Sequence, residues 1–283
     1  IISSNVKEYG FSLDDKYVYY IDNNSDFYVY NRDSEETTKI SSNVDKVETM
    51  NDGNIIYSES NKLVYQKLND EKNIIADSYA TVELNSDSRL ILYSIEDEDT
   101  KDYYLYSISD KKSEKVLDNV VKLYSKDNNY TKFIYTVNAS SEMDATSVLS
   151  DSLKSSDNNF VSYKYEDYTS GKITKAQYEA NQKEAIQVEL RNSIREAAKE
   201  YTVSGYDLYY KNNDTENLIV SNINDVYYYD MRGQIYSYTK YSYESNSLNI
   251  SDYENVDDFV VDLQNARLNS MYFKYGNNSA SMA

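Results

Sequence analysis

Carboxylates are the side chains through which this chain could do chemistry. Its 283 residues include 48 Asp and Glu but no histidine, cysteine, tryptophan or proline. A Ser-His-Asp or Cys-His nucleophile therefore cannot be assembled, because each needs an imidazole base or a thiolate. Structural zinc and iron–sulfur sites lack their ligands, and disulfides are impossible. Catalysis by paired carboxyl groups, as in glycoside hydrolases, remains open.

Four acidic residues are candidates for such a pair. They are Asp45, Glu48, Glu83 and Asp225, which lie on or near equivalent strands of a sequence repeat and could face a shared channel. Strand alternation with solvated acids is the simpler explanation, because 48 acidic residues place some there by chance. Sugar sites also commonly use tryptophan platforms, which are absent. We therefore predict no catalytic residues.

Two acidic segments resemble the start of a calcium loop. Residues 22–26, Asp-Asn-Asn-Ser-Asp, match the Asp-x-Asn-x-Asp pattern, but Phe27 stands where such a loop needs glycine. Residues 97–99, Asp-Glu-Asp, are a similar case. Asn, Asp and Ser also dominate hairpin turns, so we predict two turns and neither a metal nor a cofactor.

The composition limits the classes of partner that the chain could bind. With 29 basic residues against 48 acidic ones, the net charge is −19, so nucleic acids and anionic membrane surfaces should be repelled. No apolar stretch approaches the roughly 18 residues of a membrane span, so no membrane insertion is predicted within this chain. Tyrosine accounts for 34 of the residues. It suits a protein built of narrow sheet layers, because its ring can be buried while its hydroxyl reaches water.

A repeat organises the chain. Four short β-rich runs end in Tyr20, Tyr57, Tyr93 and Tyr135, and each follows a turn that contains Asp. After the first three runs comes a second tyrosine-tipped run, then a segment with Ile or Val, then two hydrophobic residues three positions apart. Four strands in about 37–42 residues match one blade of a β-propeller.

The fourth repeat is interrupted by residues 138–205, which replace a hairpin turn. Within them Thr174 and Gln177 form a possible capping box, and a hydrophobic residue recurs every fourth position at Ile186, Leu190, Ile194 and Ala198. This predicts a helix that ends near Tyr201, and a weaker helix is predicted over residues 144–153. The four hydrophobic residues form an apolar stripe along the helix. We expect this stripe to pack on the shorter helix or on the blade beneath. The alternative is that the stripe is an exposed docking face.

A fifth repeat contains predicted strands at residues 234–238 and 271–275, with a second helix near residues 256–268. An Ile-containing fourth strand does not follow, whereas residues 1–6 match residues 39–44 almost letter for letter. We therefore predict that the N-terminal segment supplies that strand and closes a ring of five blades. The rival interpretation is an open fragment of a larger ring.

Residues 12–20, Ser-Leu-Asp-Asp-Lys-Tyr-Val-Tyr-Tyr, with Asp-Phe-Tyr at 26–28 and Lys-Ile-Ser at 39–41, resemble the repeat of TolB-type propellers. That repeat runs Ser-Pro-Asp-Gly-Lys, a strand, Asp-Ile-Tyr and Leu-Thr. Here the proline is missing throughout and the glycine survives only at Gly53. The resemblance covers residues 1–137 well and 206–275 loosely. The chain is also similar to Tyr-, Asn- and Lys-rich membrane-anchored surface proteins of clostridia and related Firmicutes, which implies a location outside the membrane and a role in binding.

These observations predict an all-β propeller of about five four-stranded blades with helical insertions. Residues 1–137 would form three and a half blades, 138–205 the helical insertion, and 206–283 the remainder. We predict a non-enzymatic binding or scaffolding module, extracellular and tethered at the cell surface by an upstream segment, with a protein or cell-wall glycan as its ligand. The alternatives are a carboxylate glycoside hydrolase and a spacer that presents the insertion to a protein partner.

Overall fold

The computed structural model describes residues 3–149, 159–245, 247–249 and 252–276, and the backbone of 278–282. Most of this chain is β-strand, arranged in several antiparallel sheets. The chain divides into two compact units, which are Ile1–Val137 with Tyr209–Asn217 and Asn138–Leu208 with Leu218–Ala283. Within the described residues, no helix is both long and apolar enough to cross a membrane.

The first two repeats each form a four-stranded sheet whose strands pair in chain order. The first sheet contains β1 (Val6–Phe11), β2 (Tyr17–Asp22), β3 (Phe27–Asn31) and β4 (Thr37–Ser41). The second contains β5 (Val44–Asn51), β6 (Asn54–Glu59), β7 (Lys62–Lys67) and β8 (Asn73–Ala76). Both have the predicted blade topology, in which successive strands are joined by short turns.

The third and fourth repeats share one long strand and together form a seven-stranded sheet, in which the four strands of each repeat count as one sheet of the repeat. The third contains β9 (Thr81–Leu84), β10 (Leu90–Asp97), β11 (Thr100–Ser107) and β12 (Lys112–Lys126), and β12 continues into the fourth repeat as its first strand. The fourth adds β13 (Lys132–Asn138) and, beyond an insertion that contains β14 (Met143–Asp144) and β15 (Thr202–Val203), β16 (Tyr206–Asn212) and β17 (Thr215–Ile223). Asn119 has a left-handed φ of 52° within β12, so the register shifts while the strand continues.

The last sheet corrects one prediction. It contains β18 (Asp225–Tyr229), β19 (Ile235–Tyr243), β20 (Arg267–Tyr275) and β21 (Asn278–Met282) in that order. The fourth strand is therefore the chain's own C-terminal segment, and the prediction that the N-terminal segment supplies it is wrong. The polar segment Asn-Ser-Ala-Ser-Met gave no strand signal, but backbone hydrogen bonds to a free sheet edge do not require β-branched side chains. Ile1 and Ile2 lie outside the described residues, and a closed five-bladed ring stays a prediction.

Tyrosines at the ends of the second strands set how the sheets of the first unit pack. Tyr57 packs against the first sheet, where its ring lies 5.6 Å from that of Phe27. Tyr93 packs against the second sheet and Tyr135 against the third. Each of these tyrosines therefore faces the preceding sheet, which confirms that the sequence repeat is a packing repeat.

The two helical insertions form a single hydrophobic core. The structure has α1 (Tyr165–Thr169) and α2 (Lys175–Glu200) in the first insertion and α3 (Val256–Asn265) in the second. Ile194 and Ala198 of α2 pack with Phe259 and Leu263 of α3, and all four are fully buried. Ala145, Val148 and Leu149, from the segment predicted as the shorter helix, belong to the same core, so the expected packing of the helical stripe is confirmed at its C-terminal end, whereas Ile186 is exposed. The contact between the two insertions was not predicted.

The helix boundaries differ from the prediction in two places. The capping box is confirmed, because Gln177 N donates to Thr174 Oγ1 at 3.2 Å and α2 begins at the next residue after Thr174. The weaker helix predicted over 144–153 is instead a single 3-10 turn, Thr146–Val148, and Leu153 lies outside the described residues. Asp144 accepts from the backbone and hydroxyl of Thr146, which favours a turn at this point. The second helix ends at Asn265 rather than 268, since β20 begins at Arg267.

Candidate functional site

Glu48 on β5 forms a three-residue group with a tyrosine and a lysine. One carboxylate oxygen accepts a hydrogen bond from the Tyr79 hydroxyl, and the other lies 3.0 Å from Lys46 Nζ. Tyr79 precedes β9, so this hydrogen bond joins the second sheet to the third. The first strands of the two sheets, β5 and β9, are also in contact.

Glu83 on β9 repeats this arrangement one sheet further on. Its Oε1 accepts from the Tyr130 hydroxyl at 3.2 Å, and its Oε2 lies 2.8 Å from Lys126 Nζ. Both partners come from the fourth repeat. Glu48 and Glu83 each follow the second residue of the hydrophobic pair, so the two groups occupy equivalent positions of the repeat.

Tyr124 occupies the same position in the fourth repeat, one residue after Leu123. Lys122 Nζ lies 4.6 Å from the centre of its ring, a distance suited to a cation–π interaction. We call Glu48, Glu83 and Tyr124, with their lysine and tyrosine partners, the first-strand row. It continues across three consecutive repeats of the first unit.

Burial and the adjacent carboxylates keep the two donor tyrosines protonated. Burial is the larger cause of the raised pKa of Tyr79, and its hydrogen bond to Glu48 raises that pKa further. Burial likewise raises the pKa of Tyr130, followed by the charge of Glu83. Ionising either phenol would place a second negative charge beside a carboxylate. Both hydroxyls are therefore hydrogen-bond donors at neutral pH.

Tyr130 has a conformation that its repeat position usually gives to a smaller residue. Its φ is 55°, in the left-handed region, and the equivalent turn residues Ser88 and Gly233 have φ of 57° and 73°. This conformation costs a bulky residue roughly 1–2 kcal/mol. The ring is only 4% exposed, so its burial offsets this cost. The fold thus fixes the hydroxyl that contacts Glu83.

The four carboxylates predicted from the sequence have different surroundings in the structure. Glu48 and Glu83 belong to the first-strand row. Asp45 is exposed and accepts from Asn61 N at 2.9 Å, which stabilises the turn between β6 and β7. Asp225 belongs to the second unit, where it accepts from Val226 N. Across the described residues, no group of three or more acidic side chains could hold a metal ion.

Both calcium-like segments are hairpin turns, as predicted. Asp22 Oδ1 accepts from the backbone N–H groups of Asn24 and Asp26, each at 2.9 Å, and closes the turn between β2 and β3. Residues 97–99 form the turn between β10 and β11.

Sequence reasoning missed the partners of Glu48 and Glu83. Lys46 had a usable signal, because residues two apart on a strand share a face. Tyr130 had none, since its hydroxyl reaches Glu83 only through the packing of one sheet on another.

An exposed surface lies at the far end of the first insertion. Asn181 on α2 accepts from Tyr163 N at 2.6 Å and donates to Val161 O at 3.0 Å, which fixes an extended segment against the helix. The rings of Tyr165, Tyr168 and Tyr178 cluster with centroids 5.8–6.0 Å apart. Tyr165, Val161 and, further along α2, Ile186 are exposed. We call the ring cluster together with these exposed side chains the aromatic tip.

These features define a repeat protein built from four-stranded antiparallel sheets, and its neighbours among solved structures are β-propeller proteins. The propeller domain of the Trilobed protease from Pyrococcus furiosus is 11% identical, with a TM-score of 0.40 over 98% of this chain and 71% of that one. TolB from Acinetobacter baumannii is 9% identical, with a TM-score of 0.33 over 98% and 54%. The acylaminoacyl peptidase of Pyrococcus horikoshii is 10% identical, with a TM-score of 0.37 over 98% and 39%.

The chain thus spans about half of TolB and well under half of the peptidase. No protein family and no curated protein matches the sequence. Likenesses at this level concern the general architecture alone.

Proposed function

We propose that this chain is a non-enzymatic binding module on a β-propeller of about five blades, acting outside the cytoplasmic membrane. The observation that supports binding is the first-strand row, in which each carboxylate already has a tyrosine donor on one oxygen and a lysine on the other. Tyrosine beside paired charges is typical of recognition surfaces. The extracytoplasmic location rests on the resemblance to membrane-anchored surface proteins.

A neutral cell-wall glycan suits this row best. Carboxylate and ammonium groups held side by side offer acceptors and donors to neighbouring sugar hydroxyls, and a tyrosine ring offers an apolar face. The net charge of −19 disfavours a polyanionic ligand. A protein surface with exposed backbone groups would use the same donors and acceptors.

The test is retention on an array of glycans and polysaccharides, with the products analysed for released sugar ends. We expect retention without hydrolysis. Glu83→Gln and Tyr124→Ala should each lower the apparent affinity about tenfold, since they remove a charged acceptor and a ring from the row. Glu96→Gln is the matched control, because Glu96 is exposed on β10 and lies outside the row. Equal retention by Glu83→Gln and the unmodified chain would contradict the proposal.

The same array distinguishes a glycoside hydrolase. That activity needs one carboxyl group as a proton donor and a second as nucleophile or base. Release of sugar ends that stops in both Glu48→Gln and Glu83→Gln would favour the enzyme over the binder.

Presentation of the helical insertion is a second candidate, favoured by the exposed aromatic tip. Deleting the whole insertion would remove half of the core shared with α3, so point variants at the tip are the sharper test. If the tip is the contact, Ile186→Glu and Tyr165→Ser should lose retention while Glu83→Gln keeps it. If the row is the contact, the result should be the reverse, with far-ultraviolet circular dichroism confirming that each variant is folded.

A further inference from the structure

The repeat gives each sheet two packing faces. Tyr57, Tyr93 and Tyr135 all face the preceding sheet, and each is nearly fully buried there. Tyr20 is the equivalent residue of the first sheet along this chain. The first sheet therefore carries a face of the same design as three buried interfaces.

The strand register identifies the side chains of this face. Tyr9 pairs with Tyr20 and Phe11 with Val18, and these pair in turn with Tyr28 and Tyr30. Directly paired residues lie on the same side of a sheet. Tyr20 and Tyr28 stack with ring centroids 5.1 Å apart. We call this set the leading face: Tyr9, Phe11, Val18, Tyr20, Tyr28 and Tyr30.

The leading face is open at its β1 edge. Tyr9 is 69% exposed and Phe11 is 56% exposed, and their rings contact each other edge to face. The opposite side of the same sheet is buried, because Ile21, Phe27 and Val29 pack on the second sheet. Exposed aromatic clusters of this kind mark interaction surfaces.

The last sheet has an exposed aromatic face on the side opposite its buried tyrosines. Ile235 pairs with Tyr275, and Ser237 pairs with both Phe273 and Tyr228, which places these five residues on one side. Tyr236 and Tyr238 lie on the other side and are buried. We call the five residues the trailing face. Tyr228, Phe273 and Tyr275 are all exposed on it.

We propose that the leading face of one copy of this chain docks on the trailing face of a second copy, head to tail. The contact would continue the packing that Tyr57, Tyr93 and Tyr135 already make between successive repeats. Tyr9 and Phe11 are the exposed aromatic residues of the one face, and Tyr228, Phe273 and Tyr275 are those of the other. An interface between two different faces leaves one of each kind free, so assemblies longer than a dimer follow.

Charge sets the conditions for this association. Each copy has a formal charge of −19, so two copies repel each other at low ionic strength. Salt screens this repulsion and leaves aromatic burial largely unaffected. Association should therefore strengthen as salt is raised, the reverse of a contact held by opposite charges.

Cysteine crosslinking tests the contact directly, because the natural chain contains no cysteine. Phe11→Cys and Phe273→Cys are purified separately, mixed, and treated with a short bis-maleimide. We expect a species of twice 32.9 kDa in the mixture and in neither variant alone. Phe11→Cys mixed with Tyr165→Cys is the matched control, since Tyr165 is exposed on α1 but belongs to neither face.

A variant that carries both Phe11→Cys and Phe273→Cys tests whether the two faces are instead covered within a single chain. A crosslink within the chain at high dilution, with none in the mixture, would show that each face is covered by its own chain and would overturn the proposal. No crosslink in either sample would overturn it as well. Sedimentation of the natural chain gives a second measurement, in which Tyr9→Lys should weaken self-association at least tenfold while circular dichroism is unchanged.

Discussion

Replacing Phe259 with alanine is expected to destabilise the shared helical core by about 3–5 kcal/mol, the usual cost of truncating a fully buried phenylalanine. Phe259 on α3 is 0% exposed and packs among residues of both insertions, including Val148 and Ile194. The cavity would therefore weaken two segments that are distant in sequence. Hydrogen exchange measured by mass spectrometry should show α2 and α3 losing protection together.

Val261→Ala on the same helix is the matched control. Val261 is 56% exposed, so its truncation should change stability by no more than about 0.5 kcal/mol. The sheets of the first unit should keep their protection in both variants. If Phe259→Ala exposed α3 while α2 remained protected, the two insertions would not share one cooperative core.

Stability should fall steeply above about pH 10, because buried tyrosines must stay neutral in the folded state. Burial raises the pKa of Tyr57 to about 12 and that of Tyr65 to about 12. A raised tyrosine pKa contributes stability that is complete below the unfolded value near pH 10 and is lost as pH rises towards 12. At pH 11 each residue should contribute roughly 1 kcal/mol less than at neutral pH, or about 2–3 kcal/mol together.

Denaturant unfolding from neutral pH to pH 11, with tyrosinate absorbance followed in parallel, measures this loss. The profile should be nearly flat from about pH 6 to 8, since the chain has no histidine. Tyr57→Phe removes one of the two groups and should roughly halve the loss at pH 11. It should also lower stability at neutral pH by about 1 kcal/mol, because the Tyr57 hydroxyl donates to Gln66 Oε1 at 3.0 Å. A profile unchanged by Tyr57→Phe would show that other groups govern alkaline unfolding.

Much of the repeat was predictable because its signals are local. Alternating hydrophobic residues and Asp- or Asn-rich turns act within a few residues, and the hairpins appear where they were expected. The Thr174 capping box likewise depends on contacts within one turn. The C-terminal strand β21 was missed because its position depends on a free sheet edge rather than on its own composition.

The candidate site was only half predictable, for the same reason. Glu48 and Glu83 were identified because their positions follow the repeat. Their tyrosine donors, Tyr79 and Tyr130, come from the next sheet along the chain. Which hydroxyl reaches which carboxylate depends on the packing of successive sheets, and a pattern along one strand does not contain that information.

The sequence alone determined the chemistry that is excluded, the strands and turns of the repeat, and the helix that replaces one hairpin. Each depends on residue types or on neighbours a few positions apart. Tertiary structure decided the shared core of the two insertions, the strained Tyr130 and the exposed leading and trailing faces. These depend on which distant surfaces meet, and burial of apolar area, which is not directional, selects among many such pairings only when the whole chain is folded.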